Sequence, residues 1–558
     1  MFVRAKKSGK YEYLQVVHNV REDGAVRQHV IATLGRVDVL RKTGQLDALL
    51  ASCSRFAERV AVLTAHRQGL VEPAQSLRVG PPWVFERLWQ EAGLPEILKG
   101  LLADRQFEFA VERAVFLTVL HRLFDPGSDR AAELWCRRYA IEGVDGLGLH
   151  HLYRAMGWLG EELPPSAQAH RTPFAARTTK DVIEEALFAR RRDLFSSLNL
   201  VFFDTTSVYF EGEGGESLGQ RGYSKDRRPD LKQMVVGAVL DGEGHPICSE
   251  LWPGNTVDVQ ALVPVVDRLR GRFGVRSVCI VADAGMISKK AIRALQADER
   301  KVRFILGTRL RRFKEVRDEV LARGGRYHEV YGPREKSGDP APLRVKEVWV
   351  GDHRYIVCHN EAQARKDRHA REAMVAALRE KLARGEKTLV LNRGYHRLLK
   401  SQGQERLVVD EARVRQEARY DGKWVLHTDT DLRPAEVALK YKELWMVEQL
   451  FRSFKTVLHT RPIYHKCDAT IRGHVFCSFL ALVLLRELLA RLEARGWHVE
   501  WERLKRDLDA LEHITVRAGG KRVVLRSATR GDAGKALQAV GVALGPVVRV
   551  TSEERDKS

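Results

Sequence analysis

Hydrophobic and polar positions change period several times along the chain, and each change marks off an element. Residues 1–40 alternate apolar and polar in "KSGKYEYLQVVHNV" and "RQHVIATLG" around Glu22-Asp23-Gly24, which predicts an N-terminal β-hairpin turning at those residues. From 41 to 195 apolar residues recur at three and four, as in "WVFERLWQEAGLPEILKGLL" and "ERAVFLTVLHRLF", the spacing of helices with one buried face. "DPGSDRAAELW" marks a break and a restart there, with Ser128 as N-cap. From 196 to 309 "LVFFDTTSVYF", "LKQMVVGAVLDGEG" and "HPICSELWPGN" read as three successive strands. An amphipathic helix ("DVQALVPVVDRLRGRF"), a buried strand ("SVCIVADAG"), a helix ("SKKAIRALQADE", N-cap Ser288) and a strand ("VRFILGTR") follow. The order β-β-β-α-β-α-β places the chain in the α/β class, with a mixed sheet of five strands.

Residues 310–432 interrupt this pattern. They open with the basic run Arg309, Arg311, Arg312 and Lys314, and mix short strands with a charged helix around 361–384, which predicts an inserted β-containing subdomain. Residues 433–492 return to helical spacing. Their most apolar run, "VFCSFLALVLL", falls well short of the ~20 residues of a spanning helix and reads as a core helix. Residues 493–558 carry a helix ("WERLKRDLDALEHI") and a strand pair ("ITVRAGGKRVVLRS") as a C-terminal extension.

Composition adds a partner class. Lys and Arg number 94 against 73 Asp and Glu, a net charge of +21, which favours a polyanion and above all nucleic acid. Arg190, Arg191 and Arg192 form one basic cluster, for which a solvated helix face is as good a reading as a phosphate contact. The seven cysteines include no CxxC pair, and His459, His465 and His474 lack zinc spacing from Cys467 and Cys477, so free thiols in a reducing cytosol are expected. The N-terminus lacks the apolar core of a signal peptide, and no membrane partner is expected.

Candidate chemistry centres on acids in apolar strands. Asp204 interrupts "LVFFDTTSVYF" and Asp283 ends "SVCIVAD". A fourth strand returning beside the first would bring the two carboxylates together. Their repulsion is relieved by a proton or a cation, and oxygen-only donors select Mg²⁺ or Mn²⁺. Hydrogen bonding of Asp204 to Thr205 or Thr206, and turn capping by Asp283, explain either acid alone. For a third acid, Glu448 in "YKELWMVEQLFRSFK" shares one helical face with Tyr441 and Lys455, beside Arg452. Leu444, Val447, Phe451, Phe454 and Leu458 form an adjoining apolar stripe able to dock that helix on the sheet. Asp429 and Asp431 are weaker rivals, read as a strand end and a helix-entry turn.

These features resemble the DDE transposases of bacterial insertion sequences, in the IS-four-like group signed Y-x2-R-x3-E-x6-K. Tyr441, Glu448 and Lys455 match the signature, whereas Leu444 stands at the arginine position, whose contact Lys442 or Arg452 would have to supply. Two further blocks, Gly222–Asp258 and Leu458–Leu482, are similar to the same family. The resemblance implies a ribonuclease H-like catalytic core and an Asp204–Asp283–Glu448 triad holding two Mg²⁺ ions, with Mn²⁺ able to substitute. It implies cleavage at the element's ends and strand transfer of the freed 3′-OH into target DNA. Tyr441, Lys455 and Arg452, with Tyr223, Lys225, Arg227, Arg228 and Lys232, are the expected DNA contacts, and the helical region 41–195 is the expected reader of the terminal inverted repeats. A homodimer on paired ends and a cytoplasmic, nucleoid-associated location follow. A metal-dependent nuclease without strand transfer and a non-catalytic DNA-binding derivative remain open.

Overall fold

The computed structural model describes residues 1–22, 25–54, 71–192, 200–275, 278–297, 302–336, 338–384, 397–402, 406–518 and 521–552. The chain forms two compact units, one of residues 1–77, 512–528 and 545–558, the other of residues 78–511 and 529–544.

The first unit opens with strands β1 (Phe2–Ser8), β2 (Tyr11–Glu22) and β3 (Ala25–Arg36) in an antiparallel meander. The expected hairpin is the β2–β3 pair; Asp23 and Gly24 of its turn lie outside the described residues. A further strand precedes it because Gly9, at φ 60°, closes a tight turn that pairs Ser8 with Tyr11. Strand β4 (Val71–Arg78) lies in the stretch read as helical.

The second unit is built on one sheet. Strands β5 (Leu200–Tyr209), β6 (Gln233–Asp241) and β7 (Pro246–Pro253) run antiparallel. The helix Asp258–Phe273 then leads to β8 (Val278–Ala282), which lies parallel to β5, and the helix Lys289–Gln296 leads to β9 (Val302–Gly307), parallel to β8. This is the element order read from the sequence. The sheet does not stop at five strands. The interrupting segment supplies β10 (His328–Tyr331), β11 (Leu343–Val350) and β12 (His353–His359), a separate pair β13 (Leu399–Gln402) and β14 (Arg406–Val409), and β15 (Lys423–Thr428). β15 pairs antiparallel with β9 and with β12, so the order is β10-β11-β12-β15-β9-β8-β5-β6-β7, nine strands in all. Four strands of the insertion therefore extend the core sheet and cover what would otherwise be an unpaired edge at β9, while β13 and β14 form a two-stranded sheet of their own.

Strand alternation sorts the core. Val201, Phe203, Val239 and Ile280 pack with Leu262, Val266 and Leu269 of the helix Asp258–Phe273. Phe202, Val208, Met234 and Val236 pack with the helices Trp445–Thr456 and Asp468–Glu493 on the opposite face. The run "VFCSFLALVLL" is buried inside the second of these helices, and no helix among the described residues is long and apolar enough to cross a membrane. That helix meets Leu149–Leu159 closely: a Cβ on Gly473 would stand 2.0 Å from the Met156 carbonyl oxygen. Gly473→Ala should cost about 1–3 kcal/mol through overpacking, read as a lowered denaturation midpoint.

The chain ends by returning to the first unit. After the helix Trp501–Asp509, strands β16 (Glu512–Ala518), β17 (Lys521–Arg526) and β18 (Val548–Ser552) complete a four-stranded sheet, β18-β17-β16-β4. The C-terminal strands are thus partners of β4, near the other end of the sequence.

Candidate active site

The parallel pairing of β5 with β8 aligns Phe203 with Ala282, so the residues that follow, Asp204 and Asp283, stand side by side. Both line one cavity of about 650 Å³, together with Asp258, Thr206, Ser207, Tyr223, Lys225, Arg309 and Arg312. Asp204 has the strand parity of Phe202 and Val208, the face on which the helix Trp445–Thr456 packs.

Burial pushes the Asp204 carboxyl up to about 6. The Lys225 ammonium and the Thr205 backbone N–H pull it down, and the Asp283 and Asp258 carboxylates push it up further. Thr205 N–H donates to Asp204 Oδ1 at 2.7 Å, the bond that the sequence offers as an alternative to a cation, but it does not offset the burial. The pocket thus holds acid whose ionised form is disfavoured, next to more acid.

Asp258 was not singled out from the sequence. It opens the helix Asp258–Phe273, accepts from Thr205 Oγ1 at 2.7 Å and pairs with Lys225 Nζ at 3.3 Å. Its one local signal was a place in the first turn of a predicted helix, where an acid is commonplace. Arg309 stood out only as part of a basic run. Its guanidinium donates to the carbonyls of Ala284 (2.9 Å) and Gly285 (2.6 Å), clamping the turn that follows Asp283.

The signature residues lie on two helices. Tyr441 belongs to Pro434–Lys442, whereas Glu448, Arg452 and Lys455 belong to Trp445–Thr456, with the break at Glu443 and Leu444. The phase argument holds only from Glu448 to Lys455. The apolar stripe is buried throughout, and Leu444, in place of the signature arginine, is 5% exposed at the joint. Tyr441 reaches the cavity's acid directly: its hydroxyl donates to Asp283 Oδ1 at 3.0 Å, and burial beside Asp283 raises its own pKa strongly. Gly307 makes room for it, since a Cβ there would stand 2.3 Å from the hydroxyl oxygen. Gly307→Ala should therefore displace Tyr441 from Asp283, visible as a lowered Tyr441 pKa in an ultraviolet titration.

Glu448 is exposed, makes no ion pair or side-chain hydrogen bond among the described residues, and is not among the residues lining the cavity. Among the described residues Asp204, Asp283 and Glu448 do not form a group whose carboxylate oxygens all lie within 4.8 Å of one another. Lys455 pairs with Asp226 at 2.7 Å, Lys232 with Glu213 at 2.7 Å and Arg228 with Asp230 at 2.9 Å, while Lys225 is turned inward on Thr205. Arg227 and Arg452 are exposed with no side-chain partner among the described residues, and Tyr223 is 84% exposed. The rivals Asp429 and Asp431 serve other roles: Asp429 accepts from Phe304 N–H at 2.7 Å near the start of β9, and Asp431 pairs with Arg303 at 3.2 Å.

Asp129, His465 and His474 also gather possible ligand atoms, within 4.8 Å of one another. There Arg122 already supplies the cation, 2.8 Å from His474 Nδ1 and 3.4 Å from Asp129 Oδ1.

The chain matches two protein-family models. Residues 2–66 match the "IS1634 family transposase, N-terminal domain" and residues 196–484, more than half of the chain, match the "Transposase DDE domain". No curated protein matches it. Among solved structures it is similar to a piggyBac transposase synaptic complex with hairpin DNA, at 11% identity over 77% of this chain and 79% of that chain, TM-score 0.38. It is also similar to the Mos1 mariner paired end complex with Mn, at 13% identity over 46% of this chain and 76% of that chain, TM-score 0.14. With the DDE family model spanning the strands that carry Asp204 and Asp283 and the helix that carries Glu448, the chain belongs to the DDE transposases of bacterial insertion sequences, enzymes that cleave DNA and transfer its strands.

Proposed function

We propose that this transposase acts on the terminal inverted repeats of its own insertion sequence, cutting them and joining the freed 3′ ends to target DNA with Mg²⁺. The observation that carries the reading is the alignment of Asp204 and Asp283 at adjacent strand positions, inside a cavity with a basic rim. The strand order β7-β6-β5-β8-β9, three antiparallel strands followed by two parallel ones, supports a ribonuclease H-like core for this reading.

The donor set fits a hard divalent cation: carboxylate oxygens without His or Cys, in a pocket that disfavours an uncompensated charge on Asp204. Asp204 and Asp283 would hold it, with Glu448 joining by rotation of its side chain from the helix packed on the same sheet face. Bound there, Mg²⁺ supplies activation of the attacking water or hydroxyl and stabilisation of the leaving oxygen. Arg309 holds the Asp283 turn in place, and Tyr441 fixes the Asp283 carboxylate through its hydroxyl. Arg312 and Tyr223 on the rim, and Arg227 and Arg452 outside it, are the cationic and aromatic groups offered to the DNA backbone. Reading of the repeats is assigned to the region before the catalytic sheet, and the working form to a homodimer with one site per end.

The test is an assay on paired element ends with Mg²⁺ that separates cut from joined products. Joined product, lost in Asp204→Ala and Glu448→Ala, is expected. Cutting without joining would leave a nuclease, and joining that survives Asp204→Ala would overturn the metal reading.

A further inference from the structure

The loop Gly222–Leu231, between β5 and β6, places two neighbouring residues of opposite charge against opposite walls of the site. Lys225 Nζ donates to Thr205 O at 2.6 Å and Thr205 Oγ1 at 2.8 Å, and its ammonium pairs with Asp258 at 3.3 Å and with Asp204 at 3.8 Å. Its backbone N–H donates to Ser207 Oγ at 2.8 Å. The next residue, Asp226, faces the other way, with Lys455 at 2.7 Å and Arg461 at 3.4 Å. This second contact is largely dry: the Asp226 and Lys455 side chains are 10% and 12% exposed. Arg227 adopts φ 58°, a left-handed conformation that redirects the backbone directly after the pair. At the loop's root Gly222 lies so close to β7's end that a Cβ would stand 1.9 Å from Gly254 O. The loop is thus fixed to the strand of Asp204 on one side and to the helix of Glu448 on the other.

Lys455 is two helical turns beyond Glu448, and Tyr441, before it, is docked on Asp283. Glu448 therefore stands on a stretch of backbone held at both ends by carboxylates, Asp283 and Asp226. Misplacing a reacting group by about 1 Å can cost on the order of 10²-fold in rate.

We propose that Asp226 is a positioning residue: through Lys455 it sets the height and rotation of the helix that brings Glu448 to the Asp204–Asp283 pair. In the DNA-free enzyme, Lys455 serves this brace and not a DNA phosphate. The inference rests on the reading of Glu448 as the third metal-holding acid.

The test uses the full chain, Mn²⁺ binding followed by electron paramagnetic resonance without DNA, and steady-state cleavage of element ends. Asp226→Asn should weaken Mn²⁺ binding about tenfold and lower kcat about 10²-fold with KM for DNA within about twofold. The charge-reversed pair Asp226→Lys/Lys455→Asp should recover much of the Mn²⁺ affinity, and it carries the test if Asp226→Asn does not fold. Tighter DNA binding by Asp226→Asn with unchanged Mn²⁺ affinity would make Asp226 a stand-in for phosphate and overturn the brace. Glu448→Gln separates the two readings. Weaker Mn²⁺ binding in Glu448→Gln but not in Asp226→Asn overturns the brace alone, whereas unchanged binding in Glu448→Gln overturns the ligand reading and the brace with it.

Discussion

Asp204→Asn is expected to lower DNA cleavage and joining by at least about 10³-fold while making the metal-free protein more stable at neutral pH. The two effects have one cause. Burial raises the Asp204 carboxyl from 3.8 to about 6, and Asp283 and Asp258 add to the rise against the pull of Lys225. A raised acid holds its proton more tightly in the native chain than in the unfolded one. The stabilisation that proton confers is complete below about pH 4 and is lost as the pH climbs through about 6. Above that, the ionised carboxylate costs on the order of 2–3 kcal/mol, toward the lower figure because the side chain remains 20% exposed. Asparagine keeps the shape and the acceptor for Thr205 N–H but removes the charge. Calorimetry should therefore show Asp204→Asn melting higher than wild type at pH 7.5 and level with it at pH 4. Added Mg²⁺ should raise the wild-type Tm and leave the variant unmoved. Equal melting of the two proteins at both pH values would mean that the pocket does not burden this carboxylate.

The same electrostatics predict how wild type loses its metal. Below pH 6 a proton competes for Asp204, so Mn²⁺ affinity should fall up to about tenfold per pH unit between pH 6 and pH 5, measured by titration in a non-chelating buffer. A flat profile across that window would exclude Asp204 as a ligand.

What could be read in advance divides along physical lines. An aspartate inside an apolar strand, as Asp204, or directly after one, as Asp283, breaks an apolar run, so both are visible as anomalies, and the β-β-β-α-β-α-β order is visible as changes of period. The docking stripe Leu444 to Leu458 was visible for the same reason, and all five of its residues are buried. Long-range registration has no local signature. Nothing in "KWVLHT" announces that β15 will pair with β9 as well as with β12 and enlarge the sheet to nine strands. The helix break at Glu443–Leu444 escaped because both sides keep helical spacing and no Gly or Pro interrupts them. The contacts that organise the site join distant residues, as with Lys225 and Asp258 or Asp226 and Lys455. A lysine beside an aspartate in "YSKDRR" reads as a solvated loop until the fold supplies a partner for each.

Glu184→Ala should be the most destabilising single change outside the cavity, about 3–5 kcal/mol at neutral pH. Glu184 is fully buried on the helix Thr179–Arg192 and accepts from Ser249 N–H (2.9 Å), Ser249 Oγ (2.6 Å), Arg268 (2.7 Å) and Lys180 (3.3 Å). Around it Lys180, Arg268, Arg272 and Arg177 face Asp181, Glu184, Glu185 and Glu250, so the charges balance in a nearly dry cluster. Burial alone would raise Asp181, but Lys180, Arg268 and Arg272 hold its carboxyl well below the usual carboxylate range, so Asp181 stays charged at neutral pH. Removing Glu184 leaves an excess buried cation and orphans the Ser249 donors, and the cost comes from these uncompensated groups, not from lost packing. Replacing Glu184 and Arg268 together by leucine should therefore cost less than Glu184→Ala alone, and a double-mutant cycle in guanidinium measures the difference. The cluster also bears on catalysis. Arg268 and Arg272 sit on the helix whose first residue, Asp258, faces Lys225 in the cavity, so this network seats that helix on β7. At a temperature where Glu184→Ala remains folded, its Mn²⁺ affinity should fall less than that of Asp226→Asn, because the helix is still held by Leu262, Val266 and Leu269 against the sheet. A larger fall in Glu184→Ala would place the control of the metal pocket in the helix behind the sheet instead of the loop before it.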